Sequence, residues 1–424
     1  MSAGAGSRPL PSRRRDGAST RDADLELAAL MSRMATLASS EVHEIEDWLG
    51  AELWASTLIG TWHVRRLLEG DVEELFFPAF VHALERLGTQ PALATLRAVS
   101  RVGRAGNARN ARAAAGRLAT RGLEEPAWGP EPAGARPVAA ELMHDEHFDD
   151  GVSVLIEFDS PAPRHTLGIY IDHNMGGLVK DVFLAGPLSE VRELMKANAA
   201  RSKDELGLRA IELGEARARV SAALEQLDHT WEPSVSEDVR ALRALIDTRM
   251  PRLPGGHVLE PDFDEISLEE REALLAEFLA SPEGARWAGD EDAEFLLDLA
   301  INFGCDYNHG GPLRWSPVVV EIFMTSWLPH KVAREQEFFK GVPEVLRAWV
   351  RYAGRVRALP AAQRREAVAA VKRFRTEMLE NAEDPASWGP AKTIATAARQ
   401  AGVDLADPGA LEGFVEQYNA QLDV

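Results

Sequence analysis

Apolar residues recur at every third or fourth position from about Asp24 to Gly122, a period that predicts three or four helices packed as hairpins. Within this stretch Asp71-Val72-Glu73-Glu74 has the form of a capping box. Leu75, Phe76, Ala79, Phe80, Ala83, Leu84 and Leu87 then hold one helical face. Pro78 lies inside that run and is expected to bend or restart the helix, because it lacks an N–H and its ring crowds the preceding turn. Pro126, Pro130 and Pro132 break the pattern and mark a boundary. Beyond it the period changes to two. Val152 to Phe158, Thr166 to Asp172 and Leu178 to Leu184 alternate as strands joined by short turns, which predicts an antiparallel meander. A helix from Pro187 to about Ala200, a strand near Leu208 to Leu213 and a helix from Glu215 to Leu227 complete a small α+β unit.

Pro-Gly-Gly at residues 254–256 interrupts the pattern again, and the remainder of the chain is helical with legible caps. Ser267-Leu268-Glu269-Glu270 is a capping box, and Ser316-Pro317, Asp384-Pro385 and Asp407-Pro408 each place a cap before a first-turn proline. Val342, Val345, Leu346, Trp349, Val350, Ala353 and Val356 form an apolar stripe. The expected architecture is mainly α with a small α+β unit, an antiparallel sheet of three to four strands lying between two helical domains. The divisions are a disordered tail at 1–23, a helical domain at 24–124, an α+β domain at 137–250 and a helical domain at 258–424.

Composition narrows the class. A chain of 424 residues exceeds one ordinary core, and its 45% apolar content is globular. The formal charge of −20 argues against a protein that coats nucleic acid over its whole surface. That charge is unevenly spread. Residues 86–123 hold eight arginines and no acid, residues 345–376 hold nine bases against Glu366, and residues 260–298 hold fourteen acids against two arginines. Clustered guanidiniums such as Arg97, Arg101, Arg104, Arg109 and Arg112 suit an acidic partner or a phosphate backbone, although few aromatics stand among them to stack on bases. The single cysteine, Cys305, excludes an intramolecular disulfide and fits a reducing compartment, so the cytoplasm is expected. No apolar run reaches the length of a membrane span, and Arg13-Arg14-Arg15 reads as part of a polar tail rather than a secretion signal.

One hexapeptide pattern occurs twice, as Asp172-His173-Asn174-Met175-Gly176-Gly177 and as Asp306-Tyr307-Asn308-His309-Gly310-Gly311. Asp and Asn that bond their own backbone, followed by two glycines free to take positive φ, make a tight polar turn. Turn chemistry is the preferred reading. The alternative is a shared site in which Asp172 or His173 approaches Asp306 or His309. The pattern opens like a calcium loop, but the twelfth position, which should be Glu, is Phe183 in one copy and Pro317 in the other. A transition-metal reading would gather His144 and His147, as a helical i, i+3 pair, with His173 and Asp172. His43-Glu44 starts like a zinc-protease motif, but position 47 is Asp. Cys305, Asp306 and His309 bring a thiol, a carboxylate and an imidazole close in sequence, yet Cys305 follows an apolar helix and reads as a buried thiol. Neither the G-x-S-x-G elbow, the Walker loop nor the dinucleotide fingerprint occurs, and no cofactor is expected.

Cys305-Asp306-Tyr307-Asn308, Leu313-Arg314-Trp315-Ser316-Pro317, Ser387-Trp388-Gly389-Pro390-Ala391-Lys392 and Asp172-His173-Asn174 with Lys180-Asp181 carry a resemblance. From about Met143 onward the chain resembles a group of uncharacterised proteins of high-GC actinobacteria, which implies a cytoplasmic bacterial origin and no particular chemistry. Charge blocks without a catalytic motif point to a non-catalytic binding or regulatory protein with a protein partner, nucleic acid being the less favoured ligand. The alternative is a metal-dependent hydrolase or nucleic-acid-processing enzyme using the two glycine loops.

Overall fold

The computed structural model describes residues 16–62, 72–128, 134–159, 163–199, 206–230, 233–259, 266–308, 310–404 and 407–422. Tail residues 1–15, Asp71 of the expected capping box and His309 lie outside the described residues. The protein is mainly helical with one antiparallel sheet.

Five helices open the fold: α1 (Asp16–Glu41), α2 (Trp48–Gly60), α3 (Val72–Leu87), α4 (Gln90–Val102) and α5 (Ala105–Thr120). Helix α1 therefore takes in residues 16–23, which the sequence assigns to the tail. Asp47 caps α2 by accepting from Gly50 N at 2.7 Å, and Thr89 caps α4 by accepting from Ala92 N at 3.3 Å. Helix α3 runs on through Pro78 rather than restarting there. Phe77 and Phe80 on either side are fully buried, so packing holds the turn that the proline deprives of a hydrogen bond.

The sheet has five strands, β1 (Arg136–Asp145), β2 (Gly151–Asp159), β3 (His165–Asp172), β4 (Leu178–Ala185) and β5 (Leu206–Ile211), in the order β4-β3-β2-β1-β5. The meander is β2 to β4, in the register that pairs Gly151 with Asp172 and Phe158 with His165. Strand β1 has no counterpart among the elements expected from the sequence. Its alternation is hidden by two adjacent alanines and by Glu141, a buried carboxylate held by Arg192 Nε at 3.0 Å.

Helix α6 (Leu188–Ala199) covers one face of the sheet through Leu188 and Val191 on Leu155. Helices α7 (Leu213–His229) and α8 (Glu237–Arg249) pack against the sheet within the larger core. Helix α8 also packs on α2, where a Cβ at Gly60 would stand 2.4 Å from the Arg240 carbonyl oxygen, so only glycine allows that crossing. One apolar core thus runs without a break from Met31 of α1 through the sheet to Leu253. Inside it Glu52 is buried between two guanidiniums, accepting from Arg101 Nε at 3.0 Å and from Arg249 Nη2.

A second core is built by α9 (Leu268–Ala280), α10 (Glu291–Asp306), α11 (Pro317–Glu321), a π-helical turn (Ile322–Trp327), α12 (Leu328–Lys331), α13 (Gln336–Val356), α14 (Ala361–Arg373) and α15 (Arg375–Glu383). Helices α16 (Pro390–Gln400) and α17 (Pro408–Leu422) come last. The Ser267–Glu270 capping box forms in both directions, and Ser316 caps α11. The π-helical turn has a local cause. Pro329 cannot donate to the carbonyl of Thr325 four residues back, and Asn381 Nδ2 takes that carbonyl instead at 2.8 Å. Among the described residues, no helix is long and apolar enough to cross a membrane.

Candidate functional site

The two glycine loops meet, and they do so through their asparagines. In the first, Asp172 is 1% exposed; its Oδ1 accepts from Asn174 N at 2.8 Å and its Oδ2 from Lys180 Nζ. Gly176 and Gly177 take φ of 76° and 77°. In the second, Asn308 is 3% exposed and its Nδ2 donates to Arg314 O at 2.8 Å, while Gly310 and Gly311 take φ of 93° and 81°. Both loops are therefore turns held by their own polar side chains. Between them lies Arg314, 1% exposed, whose Nη2 donates to Asn174 Oδ1 at 2.7 Å and to Asn308 Oδ1. Asp306 faces elsewhere: its carboxylate pairs with Arg271 of α9 at 2.6 Å.

The β1–β2 connection completes this seam. Phe148 inserts its ring into the second core. Asp149 comes next at φ 54°, an unusual conformation that a short polar residue tolerates, and its Oδ1 lies 3.2 Å from His173 Nδ1. Asp150 accepts from Arg314 Nη1 at 3.0 Å, from Asn174 Nδ2 at 3.1 Å and from Ser316 Oγ at 2.5 Å. Burial pushes the Asp150 carboxyl pKa up, against the Ser316 hydrogen bond and the Arg314 charge. Burial likewise pulls the Arg314 pKa down, against Asp150 and Asp149. Burial alone would lower the His173 pKa, but the hydrogen bond and charge of Asp149 outweigh it and the imidazole is raised. These groups neutralise one another, and the seam ties the sheet end to the C-terminal helices.

The remaining candidates from the sequence sit in structural settings. Asp181 Oδ1 accepts from Val182 N at 2.9 Å, and Trp315 is a core residue whose Nε1 donates to Pro312 O at 2.8 Å. His144 belongs to strand β1, not a helix, so the helical i, i+3 pair with His147 does not exist. The ring of His144 instead lies over Gly207, where a Cβ would meet it at 2.6 Å. Among the described residues, no three His, Cys, Asp or Glu side chains gather as metal donors. Cys305 is half-buried in α10 and burial raises its pKa, which suppresses the thiolate.

The first arginine block is largely engaged within the N-terminal helices. Arg97 forks onto Glu125 at 2.5 and 2.9 Å, Arg101 reaches Glu52, Arg104 lies 3.5 Å from Glu73, and Arg112 donates to Ser100 O at 3.3 Å. Arg109 is exposed.

The second block is arranged differently. Helices α13 and α14 form a hairpin whose outer side is a groove of about 940 Å³. Arg347, Arg351 and Arg355 stand at i, i+4, i+8 along one wall, and Arg364, Arg365 and Lys372 line the other. Ala361, Val368 and Ala369 contribute apolar surface to it. A second hollow of about 500 Å³ continues it past Arg286 and Glu344. Arg355 is paired with Glu283 at 2.8 Å and Arg286 with Glu344 at 3.0 Å. The side chains of Arg347, Arg351, Arg365 and Lys372 are exposed and enter none of the ion pairs or hydrogen bonds among the described residues. The sequence signal for this groove was the charge of residues 345–376 together with the four-residue spacing of its arginines. Nothing matches this chain among protein-family models, curated proteins or solved structures.

Proposed function

We propose that the protein is a non-catalytic cytoplasmic binding protein that recognises an acidic macromolecule through the α13–α14 groove. The observation that carries this reading is that Arg347, Arg351, Arg365 and Lys372 are exposed in the groove without carboxylate partners among the described residues, Glu283 of the same lining being taken by Arg355, on a chain whose net charge is −20. Several arginines of the N-terminal helices are matched by acids, as Arg97, Arg101 and Arg117 are by Glu125, Glu52 and Glu85. Unmatched guanidiniums around a concave apolar floor are suited to a ligand that brings its own anions. An acidic polypeptide fits better than nucleic acid, because the groove offers apolar surface and no aromatic ring among the described residues lines it for base stacking. The hydrolase alternative has less support, since Asp172 is tied to Lys180 and Asp306 to Arg271.

The test is fluorescence anisotropy with a labelled poly-glutamate peptide and a labelled single-stranded RNA at low and high salt. Poly-glutamate is expected to bind at low salt and to weaken steeply as salt rises. The exposed double variant Arg351→Glu/Arg365→Glu should abolish that binding while leaving the circular dichroism spectrum unchanged. Binding of poly-glutamate that ignores the double variant would place the anion site elsewhere. Tighter binding of RNA, lost in the same variant, would replace the protein partner with a nucleic acid.

A further inference from the structure

Helix α17 has the chemistry that the groove lacks. Leu411, Phe414, Val415 and Tyr418 stand at i, i+3, i+4, i+7 and none of them is buried; all four remain half-exposed. The helix packs mainly on α16. Glu412 and Glu416 are exposed on its flank and form no ion pair among the described residues, and residues 403–424 contain five acids and no lysine or arginine. An amphipathic helix with an apolar stripe and one acidic flank is complementary to a groove with an apolar floor and basic walls.

We propose that α17 of one copy docks in the α13–α14 groove of a second copy, and reciprocally, so that the protein forms a twofold dimer whose C-terminal helix competes with acidic partners for the groove. This rests on the reading of the groove as an acid-binding site. The dimensions agree: Leu411 to Tyr418 span roughly 10 Å of helix and Arg347 to Arg355 roughly 12 Å, from the rise per residue. The apolar stripe would then meet Val368 and Ala369, with Glu412 and Glu416, which share one flank, turned to the wall that holds Arg351, a side chain in no ion pair among the described residues. Reciprocal exchange makes each contact twice, as a twofold interface requires.

A charge exchange between two full-length chains tests this. Sedimentation of the wild type at low salt is expected to give a dimer that dissociates as salt rises. Glu412→Lys/Glu416→Lys and Arg351→Glu/Arg365→Glu should each weaken self-association by at least about tenfold, since like charges then face each other at the interface. Mixing the two variants should restore both contacts, one with its original charges and one with them reversed, and give a heterodimer that neither forms alone. A wild type that stays monomeric, or a dimer indifferent to both variants, overturns the proposal. A monomer in which a thiol–amine cross-linker joins Glu412→Cys to Lys372 of its own chain also overturns it, by making the contact intramolecular. Poly-glutamate binding separates the two readings. If it persists while the dimer is absent, the groove survives as an acid-binding site without α17 as its occupant, and if neither occurs both readings fail.

Discussion

Replacing Arg314 by methionine should loosen the joint between the two cores. The side chain is 1% exposed and donates to Asp150 Oδ1 at 3.0 Å, Asp149 O at 3.2 Å, Asn174 Oδ1 at 2.7 Å and Asn308 Oδ1. Methionine keeps much of the aliphatic stem that passes Gly310, where a Cβ would lie 2.8 Å from Arg314 Cδ, so the cost is chiefly electrostatic. Asp150 would retain Ser316 and Asn174 as donors but lose its close guanidinium, and Asn308 Oδ1 would lose its donor in a buried site. Removing one partner of a buried pair costs about 3–5 kcal/mol, most of it the penalty for the charge left behind. The same reasoning makes Asp150→Asn in the Arg314→Met background much cheaper than in the wild type, because no stranded carboxylate remains. Urea unfolding followed by tryptophan fluorescence measures both. A loss below about 1 kcal/mol for Arg314→Met, or additive losses in the double variant, would refute the view that Arg314 holds the seam by pairing with a buried charge.

Three further outcomes are expected. His173 gains a proton affinity from Asp149 on folding, so the pair stabilises fully below the unfolded imidazole pKa of about 6.5 and the contribution is lost as pH rises through the raised folded value. Asp149→Asn should flatten that part of the pH–stability curve. Lys392 is 3% exposed, donates to Pro329 O at 2.8 Å and Ala382 O at 3.2 Å, and is lowered by burial to about 8. Between that value and the ordinary lysine pKa the unfolded chain binds more protons than the folded one, so stability should rise with pH there, and Lys392→Met should remove the rise. Glu52→Gln leaves Arg101 and Arg249 together in the first core without their carboxylate and should cost about 3–5 kcal/mol by thermal or chemical unfolding.

The meander was legible because Val152 to Phe158, Thr166 to Asp172 and Leu178 to Leu184 each present a period-two face between turn residues, and β2, β3 and β4 differ from those spans by a residue or two at most. Strand β1 was not. Its Glu141 sits inside with Arg192, and a carboxylate at an inward position erases the alternation that a one-dimensional pattern depends on. Likewise the His144–His147 spacing suits a metal only on a helix, whereas strand geometry carries His144 onto Gly207.

The two glycine loops show a different limit. Their local chemistry could be read, since Asp172 and Asn308 bond their own loops and all four glycines take positive φ. Their meeting could not, because Asn174 and Asn308 are 134 residues apart in sequence and are joined by a third residue, Arg314, that belongs to neither motif. Asp172 and Asp306 stand out in the sequence but do not make the junction, and the reason is physical. A carboxylate near an available cation forms its own pair, and Lys180 and Arg271 were nearer to hand than the opposite loop. The neutral amide, which accepts from a guanidinium and donates to a carbonyl or carboxylate in the same place, is the group that can bridge two turns without a stranded charge. The same distinction separates the arginine blocks: cations within reach of acids on neighbouring helices are spent on structure, and those of α13 and α14 that find none among the described residues stay exposed.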